Sequence, residues 1–154
     1  MSSAAVLDRE ALVAAFDAFD AAVDTVVGFD IEMLTTPELL PLLQRYEQVR
    51  RRLPAGEHAL INKLAREATP AELGGTLPHA VAEWTLTSRA EAARRVREAT
   101  ALGQRRALTG EPLPPMLAAT AAAQRRGRLG AGHVAVIRRF CHQLPGFIDP
   151  DTRE

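Results

Sequence analysis

Apolar residues recur along this chain at steps of three and four, and runs of β-branched residues are almost absent. Both features predict helices rather than strands. Leu12, Phe16, Phe19, Val23 and Val26 keep a 4-3-4-3 step, which predicts a first helix over 7–27 with one narrow apolar seam. Glu10, Asp17, Asp20 and Asp24 fall on the other side of its wheel, and Gly28 ends it. A second seam, Leu39, Leu42, Tyr46, Val49, Leu53, Leu60 and Leu64, predicts a helix over about 37–67. Thr36 reads as its N-cap and Pro37 as its first helical residue. Pro54 removes a hydrogen bond and crowds the carbonyl of Arg50, so the helix is expected to kink there or split into nearly collinear pieces. Paired, the two segments make a long antiparallel hairpin or a dimerisation arm.

The second half of the chain repeats a shorter theme. Thr69-Pro70-x-Glu72-Leu73-Gly74-Gly75 reads as a capped helical turn ended by glycine. A short helix over 78–84 then leads through Thr85-Leu86-Thr87 to a longer one. Ser88 and Glu91 are spaced as a capping box, and Ala92, Val96, Ala99 and Gly103 recur on one face of that helix. Arg94, Arg97 and Arg105 project from the opposite side. Residues 107–115, with Gly110, Pro112, Pro114 and Pro115, read as a loop. An alanine-rich helix over 115–126 ends at Gly127. A last helix over about 131–144 turns Val134, Ile137, Phe140, Cys141 and Leu144 inward and Arg138, Arg139 and His142 outward. Helix, tight turn, arginine-bearing helix is the outline of a helix-turn-helix, and it occurs twice. The expected fold is all-α, one domain over 1–154. It comprises a helical arm at 7–67, a bundle at 77–144 with two helix-turn-helix-like units, and the start of a truncated segment at 145–154.

Apolar residues make up 47% of the chain, but much of that is alanine, so the core needs close helix–helix approach rather than bulky plugs. Net charge is zero overall and strongly uneven: residues 1–40 carry −7 and residues 85–140 carry +8. Such asymmetry points to polyanion binding or to internal docking of acid on base. The cations are 18 Arg and the single Lys63; Arg grips phosphate and carboxylate as a planar fork. The same skew towards Arg and Ala also follows from high-GC coding.

Candidate chemistry is sparse. A lone Cys141 excludes an internal disulfide and a multi-thiolate zinc site. Placed on its helix seam, it reads as a buried thiol. His58, His79, His133 and His142 have no zincin spacing, and His133 reads as a packed or capping residue. Ser88 reads as a cap rather than a nucleophile, and Trp84 as core. No phosphate-loop signature is present, so no catalytic residue, cofactor, metal or small-molecule ligand is predicted. The acidic N-terminus is no signal peptide, and no stretch approaches a membrane span, so the expected compartment is cytoplasmic.

The arginines remain. Arg89, Arg94, Arg97, Arg105, Arg125, Arg126, Arg128, Arg138 and Arg139 form one basic surface if the two helix-turn-helix units pack together. The alternative is a generic Arg-rich surface partly neutralised by Glu91, Glu98 and the acidic first helix. Arg50-Arg51-Arg52 reads as a solvated face or as the partner of that acidic helix.

Thr109-Gly110-Glu111-Pro112-Leu113-Pro114-Pro115, the run from Ala118 through Gln124-Arg125-Arg126-Gly127, Gly132-His133-Val134-x-Val136-Ile137-Arg138 and Leu144-Pro145 closely resemble the 13E12 repeat family. The N-terminal part of that family is catalogued as domain of unknown function 222. The resemblance runs from about Leu39 to the end. It implies a helical domain, often fused to a C-terminal HNH endonuclease domain and associated with mobile elements. No His-Asn-His constellation is present here, so no catalytic role carries over. What it implies instead is a non-catalytic module that binds or targets double-stranded DNA. The alternatives are a homodimerisation domain acting through the 7–67 arm, or a truncated repeat copy with no retained activity.

Overall fold

The computed structural model describes residues 3–145 and residue 148, with side chains from Asp8 onward. Most of the expected truncated segment at 145–154 therefore lies outside the described residues. The order is α1 (Ser3–Val27), α2 (Thr36–Glu67), α3 (Pro70–Leu73), α4 (Leu77–Thr85), α5 (Arg89–Leu102), β1 (Arg105–Arg106), β2 (Pro112–Leu113), α6 (Ala118–Arg125) and α7 (Ala131–Gln143). The fold is all-α, as the apolar spacing predicts. The chain divides into two compact units, residues 1–40 and 41–154.

The first unit holds α1 and the opening turn of α2. Gly28 closes α1 through its N–H to the Asp24 carbonyl at 2.9 Å. The cap of α2 lies one residue earlier than the sequence predicts. Thr35 donates its backbone N–H to Glu38 Oε2 at 2.8 Å, and its carbonyl accepts from the N–H of Glu38 and Leu39. The apolar seam of α1 is not buried: Phe16 is 53% and Phe19 41% exposed.

In the second unit α2 runs unbroken through Pro41 and Pro54 to Glu67. One core joins α5, α6 and α7: Ala101, Leu102, Leu117, Ala121, Val134 and Cys141, flanked by Leu129 and Ile137. Another, Val81, Ala82 and Ala92 with Leu77 and Val96, joins α4 to α5. Ala92 and Ala99 have no exposed surface, so the small side chains of the predicted stripe do bring helices close. Asn62 Nδ2 reaches from α2 to the Ala99 carbonyl at 2.8 Å. A Cβ at Gly103 would stand 2.2 Å from that same nitrogen, so the last residue of the stripe has to be glycine.

Several local expectations are corrected. The loop predicted over 107–115 is partly a two-residue antiparallel ladder, Arg105 opposite Leu113 and Arg106 opposite Pro112. Gly110 at φ 90° turns the chain, and the Ala107 N–H meets the Glu111 carbonyl at 2.9 Å. Ser88 Oγ caps the Glu91 N–H at 3.2 Å, but the Glu91 carboxylate does not complete the box because two arginines hold it. The complete box is Thr69 with Glu72. Trp84 is 88% exposed, and Phe140 and His133 are exposed as well. Trp84 is the last residue but one of a nine-residue helix whose buried residues are Ala80, Val81 and Ala82.

Candidate nucleic-acid interface

The turn between α6 and α7 is short and basic, and its shape follows from one glycine. Gly127 sits at φ 73°, the left-handed region. A Cβ there would meet the Gln48 carbonyl oxygen and the Gln48 Cγ, each at 2.7 Å, and Arg52 Cγ at 3.2 Å. Gln48 Nε2 also donates to the Arg126 carbonyl at 3.5 Å. Gly130 lies against the Arg51 side chain, where a Cβ would stand 3.6 Å from its Nε. The turn thus packs directly on the middle of α2. The segment that carries Arg51 and Arg52 on α2 and the segment that carries Arg125 at the end of α6 with Arg126 and Arg128 in the turn are thereby brought together, although more than 70 residues apart in sequence. Apart from Arg51, which pairs with Glu47 at 2.9 Å, none of these five has a carboxylate within ion-pair distance among the described residues. Gly127→Ala should destabilise the second unit by about 1–3 kcal/mol, from backbone strain and the clash with Gln48, measured by urea unfolding.

The other predicted arginines are placed differently. Arg94 lies between Glu91, with Nη2 to Oε1 at 2.6 Å, and the buried carboxylate of Glu98. Arg95 joins Glu57 on α2 to Glu91, both at 3.0 Å. This chain of ions ties α5 to α2 and takes the middle of α5 out of play as a phosphate-reading surface. Arg105 Nε donates to the Pro114 carbonyl at 2.9 Å, and Arg106 Nη1 to the Gly110 carbonyl at 2.8 Å, which commits both to the small hairpin. Arg138 is half-buried on α7, and its pKa is lowered by burial and then by the charges of Arg97 and Arg94, against the pull of Glu98. Arg89, Arg97 and Arg139 are exposed on α5 and α7. The nine predicted arginines therefore do not act alike. Three join the basic turn, one forms an internal ion network, and one braces a hairpin.

Sequence reasoning left Arg51 and Arg52 unassigned between a solvated face and a partner for the acidic helix. The usable signal was Gly127. A glycine between the Arg125-Arg126 pair and Arg128 marks a close backbone approach, although its partner on α2 is not readable from spacing.

Beside the basic turn lies a buried polar pair. His58 on α2 and Gln124 on α6 are both almost fully buried, with His58 Nε2 and Gln124 Oε1 at 3.0 Å. Burial lowers the His58 pKa, against the Gln124 hydrogen bond and the charges of Glu98 and Glu57. Arg94 and Arg95 hold the Glu91 carboxyl down to about 2, against its own desolvation. The two shifts act in separate pH windows. Burial disfavours the charged form of His58 in the folded state, so its contribution is complete above the ordinary histidine pKa of about 6.5 and is lost as pH falls below it. The Glu91 contribution is complete above the ordinary carboxyl value of 4.5 and is lost as pH falls towards 2. Stability should therefore fall in two steps on acidification, and His58→Gln should flatten the upper one, read by urea midpoints across pH 7 to 3.

Among the described residues, no group of three or more His, Cys, Asp or Glu is arranged to hold a metal ion, and no helix is long and apolar enough to cross a membrane.

The sequence profile described as Domain of unknown function (DUF222) matches residues 40–154. An uncharacterised protein found in two strains of Mycobacterium tuberculosis is 58% identical over 146 residues, covering 95% of this chain and 32% of the relative. Another from the same organism is 52% identical over 146 residues, covering 95% of this chain and 35% of the relative. An uncharacterised Mycobacterium bovis protein is 51% identical over the same span. The chain thus spans about a third of the length of the curated relatives it matches. No solved structure matches it.

Proposed function

Because the chain belongs to the DUF222 family, whose description names no activity, we propose its role from the geometry alone: a non-catalytic module that binds double-stranded DNA through Arg51, Arg52, Arg125, Arg126 and Arg128. The observation that carries this reading is the seating of Gly127 on Gln48 and Arg52, which brings two basic segments together. Guanidiniums without carboxylate partners gain most from phosphate, through bidentate hydrogen bonds and counterion release. The exposed Arg97 and Arg139 extend the basic character of the same unit. In a longer relative with a nuclease domain of the HNH type, such a module holds the duplex while another domain cuts it. That wider reading, with its 13E12 and mobile-element associations, rests on the sequence resemblance, and a cytoplasmic setting is proposed from the acidic N-terminus. The test is a fluorescence-anisotropy titration with random duplex DNA at two salt concentrations. Affinity that does not fall with salt overturns the proposal.

A specific observation favours a second role for the same chain. The α1 seam, Leu12, Phe16, Phe19, Val23 and Val26, keeps coiled-coil spacing and is exposed along its length. Leu42, Tyr46, Val49 and Leu53 on α2 do the same. Uncovered seams of this period fit the helices of a second copy. Sedimentation equilibrium should show a homodimer that Phe16→Glu with Phe19→Glu converts to monomer. A wild-type monomer at high concentration excludes this reading.

A further inference from the structure

An open-mouthed cavity of about 650 Å³ lies between α2, α5 and α6, directly beside the basic turn. Its volume is within the usual range of small-molecule sites, about 300–1,000 Å³. The walls are apolar, with Leu53 and Leu102 among them, and the buried His58 and Gln124 also line it. Arg52 and Arg125, both exposed, line it as well. Neither has a carboxylate partner among the described residues.

Its lining combines two cations, apolar side chains and hydrogen-bonding groups. The pairing of His58 with an amide oxygen makes Nε2 the donor and leaves Nδ1 as an acceptor. Among the described residues, Nδ1 is the buried side-chain nitrogen or oxygen without a hydrogen-bond partner. Nδ1 is itself buried, so it adds to the polarity behind the cavity wall rather than to the surface that a ligand touches. A lining of two cations, apolar side chains and the amides of Gln104 and Gln124 matches an anion that carries a flat, partly apolar body with hydrogen-bonding edges.

We propose that this cavity binds a single nucleotide, with its phosphate on Arg52 and Arg125 and its base against Leu53 and Leu102, facing the His58–Gln124 pair. The proposal deepens the DNA-binding reading, since Arg52 and Arg125 belong to both surfaces. The nucleotide has two possible sources, a free mononucleotide or an unpaired nucleotide of a DNA strand.

Gly56 supplies a clean test. It lines the cavity, and a Cβ there meets nothing within 4 Å, so Gly56→Phe narrows the space while improving helix propensity. Deoxyadenosine monophosphate, titrated by calorimetry, should bind at least tenfold tighter than inorganic phosphate, and Gly56→Phe should lose at least tenfold. The wild-type amide resonances of Gly56, Gly103 and the Gln124 side chain should shift on titration, a readout independent of how the variant folds. In a second arm, a duplex with one bulged base is compared with a fully paired one. Tighter binding of the bulged duplex, lost in Gly56→Phe, identifies the strand as the source. Equal binding of the two duplexes, with the mononucleotide still sensitive to Gly56→Phe, identifies the free nucleotide. Nucleotide binding no tighter than phosphate, or unmoved cavity resonances, overturns the proposal. Salt-sensitive binding of paired duplex would survive that outcome, so failure of the cavity and failure of the basic face are separable.

Discussion

Reversing Arg52, Arg125, Arg126 and Arg128 together to Glu should abolish duplex binding at about 100 mM salt and leave the fold intact. Each phosphate contact contributes about 0.9 to the slope of log affinity against log salt, so losing four lowers that slope by about 3–4. Affinity should fall by more than 100-fold, because four repulsive carboxylates replace four attractive guanidiniums. The melting temperature should hardly move, since solvent-exposed substitutions of this kind stay within about 0.5 kcal/mol. Anisotropy titrations at several salt concentrations, beside a thermal melt, check both halves. Affinity unchanged by the four reversals removes the basic turn as the interface. Arg94 is the wrong residue for this experiment despite its place on an arginine-studded helix, because its reversal would set a third carboxylate beside Glu91 and Glu98.

Arg94→Leu should be the most damaging single change to stability in the second unit. Glu98 is 2% exposed, and the Arg94 guanidinium is its ion-pair partner. Removing one member of a buried pair leaves an uncompensated charge and costs about 3–5 kcal/mol. For a chain of this size that lowers the melting temperature by on the order of 10 °C. The double change Arg94→Leu with Glu98→Leu should recover most of the loss, because a buried pair replaced by apolar side chains is close to neutral. Chemical denaturation of the four members of this cycle gives the coupling directly. A single change that costs under 1 kcal/mol, or a double change that costs as much as the two singles added, would show that Arg94 acts by packing alone.

The two predictions separate arginines that look alike in the sequence. Arg94 and Arg97 are three positions apart on one predicted face, yet Arg94 is bound into ions and Arg97 is exposed. The i, i+3 and i, i+4 spacing of Glu91, Arg94, Arg95 and Glu98 was visible, and it is enough to form local pairs. What converted those pairs into a structural network was Glu57, 38 residues away on α2, which Arg95 reaches at 3.0 Å.

Helix type, helix order and most of the buried stripe on α5 were legible in the linear pattern, because a 3.6-residue period and small residues at fixed spacing are local properties. Ala92, Ala99 and Gly103 follow from that pattern alone. Burial of the long seams does not. Leu12 through Val26 on α1 and Leu42 through Leu53 on α2 have the spacing of a core and are exposed, because a period specifies a face and not what covers it. Trp84 and Phe140 were misplaced for the same reason. The basic turn, the His58–Gln124 pair and the cavity beside them join α2 to α5 and α6, segments separated by about 40 to 75 residues. Sequence spacing carries no information across such distances. Only the packing of Gly127 on Gln48 decides which basic segments meet, since a glycine at positive φ admits a close approach that any other side chain would block.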